Sequence, residues 1–323
     1  MILDFCTDSA SDSAPIDTPF FRPGGARMGV MGAEPRTNNN HPPRRTIVAA
    51  RDSWKSSRKI LAFVDVSEEN SDPDIYAKKR SGFSWGFSSI TAWYQNNYEP
   101  NFSCPYEKRV GIPMNGDGAK WVCDPHRIVG LAAERKKADP RHPGCVVYSV
   151  GSNGDFTFEL GVQKEVGVGT CEFHIFDIDS YEHRVPKELK RASFHHWGLG
   201  TAVKKGDVIP QRVNNGMRYK SLSDTVKELH HEKLDVIDIF KIDCEGCEWD
   251  THRDWVSGKV PLMHQILVEV HKAPIDKVLN FFDSLEKEGY LRFHKEPNIQ
   301  WSADCIEYAF VKVEKEFMRG KLP

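Results

Sequence analysis

The sequence predicts an α/β protein with a seven-stranded sheet. Five strands alternate with helical or loop crossovers, and a final pair closes the sheet. Three observations predict this. Apolar, β-branched runs recur at regular intervals from Cys145 to His271. The first run, Cys145 to Val150, breaks into the glycine turn Gly151-Ser152-Asn153-Gly154 and then into a helical pattern. The last two runs, Tyr290 to His294 and Ile306 to Val313, lie close together with no helical pattern between them, as an antiparallel pair requires.

Taken in order, the chain of 323 residues begins with a polar stretch. From Ser9 to Arg45 it is rich in Ser, Asp, Pro, Gly and Asn. Such a composition buries too little apolar surface to offset the cost of ordering. We read 1–58 as disordered, 59–103 as an extension packing on the main domain, and 104–316 as that domain. Ile60 to Val66 is apolar but much too short to span a bilayer, and no run of about 18 apolar residues occurs. The opening MILDFCTD carries acid and has no apolar core of a signal peptide. The expectation is a cytoplasmic protein, or a secretory-pathway or Golgi one if the N-terminus is incomplete. Lys plus Arg number 44 and Asp plus Glu 46, so the near-neutral chain gives no electrostatic reason to expect a nucleic-acid partner. Nothing in the sequence speaks to oligomeric state.

Ser84 to Tyr98 places Trp85, Ile90, Trp93 and Tyr94 on one helical face, the pattern of a helix packing on the domain. Asn115-Gly116-Asp117-Gly118 is a hairpin signal between strand-like flanks, either a plain tip or one that brings Asp117 and Lys120 over a ligand. After the central turn, Phe156, Leu160 and Gln163 recur at helical spacing, widened by Phe158, Val162 and Val166. The turn has open N–H groups in prospect at the strand's carboxyl end, where α/β sheets bind ligands. Its glycines lack dinucleotide spacing, because the next one is Gly161.

Cys171 to Ile178 is the second strand, carrying Asp177 26 positions past Gly151. A carboxylate there suits ribose hydroxyls. Ser193 to Gly200 reads as a third short strand followed by a turn, with Trp197 either covering an adenine-like ring or packing the core, and with His195 and His196 structural. Ser221 and Asp224 have capping-box spacing before a helix. Asp238 to Cys244 is the fourth strand, and Asp243, Glu245 and Glu248 crowd its end. His264 to His271 is the fifth and ends in Glu269 and His271. An amphipathic helix from Ile275 to Leu285 stops at Gly289.

Of eight cysteines, Cys145, Cys171 and Cys305 sit in or beside apolar strands and read as buried small hydrophobes. Cys244-Glu-Gly-Cys247 has C-x-x-C spacing but no second pair, so no metal site is expected there. Cys104 and Cys123 would pair in an oxidising compartment.

VVYSVGSNGDF, IFDID, FHHWGLG, FKIDCEGCEWD and ILVEVH together resemble class I S-adenosylmethionine-dependent methyltransferases, more narrowly the FkbM-type, methyltransferase-like family. The pattern of Lys241, Asp243, Glu245, Gly246 and Glu248 is the most specific part. The resemblance implies a Rossmann-like, mostly parallel seven-stranded sheet with an antiparallel last strand and helices on both faces. It implies S-adenosyl-L-methionine as cofactor and O-methylation of a hydroxyl on a small molecule or glycan. Gly151, Ser152, Asn153, Gly154, Asp177, Trp197 and Asp243 are then the cofactor residues. His271 and Glu245 are the general-base candidates, with Asp243 and Glu269 beside them and no metal. Ser149 stands where many relatives carry an acid, so the alternative is a catalytically inactive binding or scaffold protein on the same fold.

Overall fold

The computed structural model describes residues 97–111, 118–201, 218–298 and 305–314. The expectations for 1–96 and for the hairpin residues 115–117, including Asp117, lie outside them.

Strands β1 (Glu107–Val110) and β2 (Lys120–Cys123) pair antiparallel, with Val110 opposite Lys120. Helix α1 (Pro125–Ala138) begins with a proline, which needs no N–H there, and ends in Arg135, Lys136 and Lys137, which suit its carbonyl end. Strand β3 (Cys145–Val150) is buried along its whole length. Helix α2 (Thr157–Val166), strand β4 (Cys171–Phe176) and strand β5 (Ala192–His195) follow. The two-residue strands β6 (Gly198–Leu199) and β7 (Tyr219–Lys220) pair apart from the main sheet. Helix α3 (Leu222–Glu228) starts at Ser221, whose hydroxyl accepts the Asp224 N–H at 3.0 Å. Strand β8 (Val236–Ile242), helix α4 (Glu248–Trp255), strand β9 (Leu262–Val270) and helix α5 (Ile275–Lys287) continue the alternation. Strands β10 (Tyr290–Pro297) and β11 (Ile306–Lys312) end it.

The main sheet has seven strands in the order β10-β11-β9-β8-β3-β4-β5. Strand β11 runs antiparallel to both neighbours, and the pairs among β9, β8, β3, β4 and β5 are parallel. Parallel strands are covered on both faces, which explains their near-continuous apolar runs. On one face α1 and α2 contribute Ile128, Ala132, Phe158, Val162 and Val166. On the other, α3, α4 and α5 contribute Leu222, Val226, Trp249, Trp255, Val278 and Phe281. The order reverses between β3 and β8, and that switch point is where an open α/β sheet leaves a crevice.

Residues 97–102 run along the β10 edge. The N–H groups of Asn101 and Phe102 both donate to Arg292 O at 2.9 Å, and Arg292 N–H donates to Asn101 Oδ1 at 2.8 Å. Tyr98 stacks on Phe282 with centroids 3.7 Å apart.

The third strand is short, as expected, and Trp197 N–H donates to His195 O where the chain turns out of the sheet. The expectation for the strand cysteines is corrected. Cys145 and Cys171 are not merely small hydrophobes: they face each other in the β3–β4 register and form a disulfide. Cys305 is disulfide-bonded too. Cys104 pairs with Cys123, and Cys244 with Cys247.

Peptide mapping of the non-reduced protein is therefore expected to return Cys104–Cys123, Cys145–Cys171 and Cys244–Cys247. The first two close loops of 19 and 26 residues, and removal of either is expected to cost about 3 kcal/mol in chemical denaturation. Free thiols at these positions count against the bonded arrangement.

Candidate functional site

The turn after β3 lies over the switch point. Gly151 has φ of 75°, and a Cβ there would sit 1.7 Å from the Asp243 carbonyl oxygen, so only glycine lets the ends of β3 and β8 approach this closely. The turn's N–H groups, expected to be open, are used internally. Gly151 N–H donates to Phe176 O, and Asp155 N–H to Ser152 O. Ser152 N–H, Ser152 Oγ and Asn153 N–H all donate to Asp177 Oδ2, at 2.8, 2.9 and 2.9 Å. Gly154 N–H reaches Ser152 Oγ at 3.3 Å. Beneath the turn, buried Lys241 donates from Nζ to Gly151 O and to Val150 O. Tyr181 and Arg184 lie outside it, the Arg184 Nη1 2.9 Å from where a Gly154 Cβ would be.

Asp177 is buried, and Asp179 N–H holds its second oxygen at 3.0 Å. Its first task is thus to fasten the turn to the end of β4. Asp179, two residues on, is exposed. Trp197 has one face under the Lys220 ammonium, 3.8 Å from the ring centroid, and its Nε1–H meets Thr225 Oγ1 at 3.3 Å. It packs against the core beside Phe176 and His195. His196 Nε2 bonds to Ile178 O, which makes it structural.

Asp243, Glu245, Glu269 and His271 do come together at the carboxyl ends of β8 and β9. His271 is buried, with Nδ1 3.0 Å from Glu248 Oε1 and Nε2 3.3 Å from Glu245 Oε2 and 3.9 Å from Asp243 Oδ1. Burial opposes its charge, but Glu248, then Asp243 and Glu269, outweigh that and lift its pKa to about 10. His271 is therefore an imidazolium near neutral pH. Glu245 differs from the others in being exposed, at a left-handed φ of 54°.

Lys120 and Glu307 complete the cluster. Lys120, from β2, is buried with Nζ on Glu307, 3.4 Å from Asp243 Oδ2 and 3.8 Å from Glu269 Oε2. Burial pulls its pKa down, and the three acids more than reverse that. Burial also raises Glu269 well above the usual carboxylate range, with Asp243 and Glu307 adding to it, while Asn298 Nδ2–H donates to its Oε1. For Asp243, burial acts upward, and Lys120, Lys241 and His271 together bring it below the usual range. These acids have metal-like proximity, but the Lys120 ammonium already takes the place a cation would fill. A disulfide-bonded Cys305 offers no thiolate.

Sequence reading reached Lys120 only as a loop alternative and missed Glu307, whose signal was an acid inside the apolar run CIEYAFVKV. It also missed Glu159, buried at the start of α2 beside Ser149 and Lys241. Burial raises this carboxyl above its usual range.

The model of a family described as a methyltransferase domain matches residues 48–312. No curated protein matches the chain. Among solved structures, the methyltransferase FkbM from Methylobacillus flagellatus KT is similar at 13% identity over 58% of this chain and 50% of that one, with a TM-score of 0.36. The match thus spans about half of that relative's length. The Methanococcus jannaschii fibrillarin pre-rRNA processing protein is similar at 10% identity over 53% of this chain and 67% of that one, TM-score 0.32. A putative RNA methyltransferase from Pyrococcus horikoshii is similar at 11% over 59% and 85%, TM-score 0.32.

Two outcomes are expected from this geometry. Gly151→Ala forces a Cβ against the Asp243 carbonyl at positive φ, and is expected to cost about 4 kcal/mol or to prevent folding, as read by urea denaturation. His271 binds its proton more tightly folded than unfolded. Its contribution to stability is complete below pH 6.5 and fades as pH rises toward about 10. The alkaline decline in Tm is expected to be shallower in His271→Gln than in wild type, and equal slopes would rule this out.

Proposed function

The chain belongs to the methyltransferase-domain family, and we propose that it transfers a methyl group from S-adenosyl-L-methionine to a hydroxyl of a small molecule or glycan. The observation that carries the cofactor assignment is the turn's hydrogen bonding. Its N–H groups are committed to Phe176 O, Asp177 and Ser152, so it does not present the donor set that a phosphate needs. Beside Tyr181, Arg184 and Lys241 stand four acids, Asp177, Asp179, Asp243 and Glu245, which suit a ligand carrying a sulfonium and an ammonium.

Gly151 and Ser152 would hold the adenosyl end by backbone proximity. Asp177, whose Oδ1 receives one N–H within the chain, keeps acceptor capacity for a ribose hydroxyl. Asp243 lends negative charge beside the turn. The bound cofactor supplies a methyl carbon already activated by positive sulfur. The protein's own work is then to align the acceptor and take its proton. Glu245 is the base of this reading: it is exposed, at the strand end, and oriented by the His271 imidazolium at 3.3 Å. His271 positions Glu245 rather than accepting the proton itself, because it is already protonated. Glu269, buried and held well above the usual carboxylate range, lies beside Lys120.

The second reading, a binding protein without turnover, is favoured by Tyr181 and Arg184 lying over the turn. The disulfides favour maturation in an oxidising compartment over the cytoplasmic expectation. Among the described residues no helix is long and apolar enough to cross a membrane.

Calorimetric titration with S-adenosylmethionine is expected to give one site per chain, and no heat and no thermal shift would sink the proposal. A radiolabelled methyl screen over hydroxyl acceptors and RNA separates acceptor classes, and label in RNA alone would overturn the hydroxyl-metabolite reading. With an acceptor in hand, Glu245→Gln is expected to lower kcat about 100- to 10,000-fold. Binding without any turnover supports the second reading.

A further inference from the structure

A second cluster of ligating side chains lies away from the carboxyl edge. Glu172 and His174 project from the same face of β4, three to five residues back from Asp177, or about 10–17 Å along the strand. His231, just after α3, closes over them, its ring edge-on to that of His174 with centroids 4.8 Å apart. One ligand atom from each of the three lies within 4.8 Å of the other two. Glu172 Oε2 is 3.8 Å from His174 Nε2, too far for a hydrogen bond.

Each of the three is held from behind. Arg191 Nη2 donates to Glu172 Oε1 at 2.5 Å, and the same guanidinium is fixed by the carbonyls of Pro143 and Gly169. His174 Nδ1 bonds to His195 Nε2 at 3.1 Å. His231 Nδ1 bonds to Tyr148 Oη at 2.7 Å. The atoms left over are Glu172 Oε2, His174 Nε2 and His231 Nε2. His174 is nine-tenths buried, and its Nε2 has no hydrogen-bond partner. A buried imidazole nitrogen with nothing to bond is costly unless something completes it.

We propose that Glu172, His174 and His231 form a binding site for a divalent transition-metal ion such as Zn(II), separate from the methyl-transfer edge. Two imidazoles and one carboxylate are a common three-ligand zinc set, which leaves a fourth position for water. The outer hydrogen bonds are the kind that orient metal ligands and raise their basicity. Tetrahedral bonds of about 2.1 Å place ligand atoms about 3.4 Å apart, so binding draws the set in by up to about 1 Å. Glu172 is half-buried, which leaves the site open to an arriving ion.

The test uses the full chain, stripped with chelator, and Zn(II) or Co(II) alone. Calorimetry is expected to give one ion per chain at this site, and Co(II) to show the intense visible bands of four-coordination. His174→Gln and Glu172→Gln are each expected to weaken binding about 100-fold or more, and Tyr148→Phe about 10- to 100-fold. Glu172→Gln, at the half-buried rim, serves if His174→Gln does not fold, as judged by circular dichroism. Absence of stoichiometric binding by wild type overturns the proposal. So does binding that survives both substitutions, or that is lost only in Asp243→Asn, which would place the ion at the carboxyl edge.

Discussion

Asp177 receives two backbone N–H groups and one hydroxyl on a single carboxylate oxygen, and in doing so ties the turn after β3 to the end of β4. Hydrogen bonds to an ionised acceptor are roughly twice as strong as neutral ones. Lys241 grips the same turn from below through its carbonyls, so the loop is fastened from two directions. The position of Gly151 against Asp243, and hence the spacing of everything at the switch point, follows from this fastening. The same bonds decide the chemistry the edge offers, since a loop whose donors are spent inward shows carboxylates outward.

The charged cluster beside it obeys a different constraint. Asp243 just past β8, Glu269 on β9 and Glu307 on β11 crowd one another, and Lys120 is the cation that all three share. Lys120 comes from a small hairpin outside the main sheet, so that hairpin must be anchored. Gln265 does so by imitating a neighbouring strand: its amide accepts Cys123 N–H at 2.7 Å and donates to Cys123 O at 2.8 Å. The Cys104–Cys123 bond locks the same strand covalently. Loss of one member of such a buried ion group leaves an uncompensated charge, which costs about 3–5 kcal/mol.

Much of the fold was legible in the chain. The runs at 145–150, 171–178, 238–244 and 264–271 announce strands because they are rich in apolar and β-branched residues, and they fall within two residues of the observed strand ends. The Ser221 cap was readable because its mechanism is local. Gathering Asp243, Glu245, Glu269 and His271 at one edge also followed, since parallel strands put their ends together. What could not be read was whatever depends on register or partner. Cys145 meets Cys171 only because the two strands pair in phase. Asp177 looked like a sugar ligand by spacing, and nothing local reveals that Ser152 and Asn153 turn toward it. His271 looked like a base by type, but its protonation is set by Glu248, a helix residue 23 positions earlier.

The strip at 97–102 has a consequence for where the unit begins. A bare outer strand is a template on which foreign chains can extend the sheet. By bonding to the Arg292 backbone and stacking Tyr98 on Phe282, this strip blunts the rim at β10. It acts as a guard against self-association, although it lies upstream of the first strand. A shortened protein starting at Cys104 would keep Asp243, Glu245, Glu269 and His271 and still lose its protection against clumping.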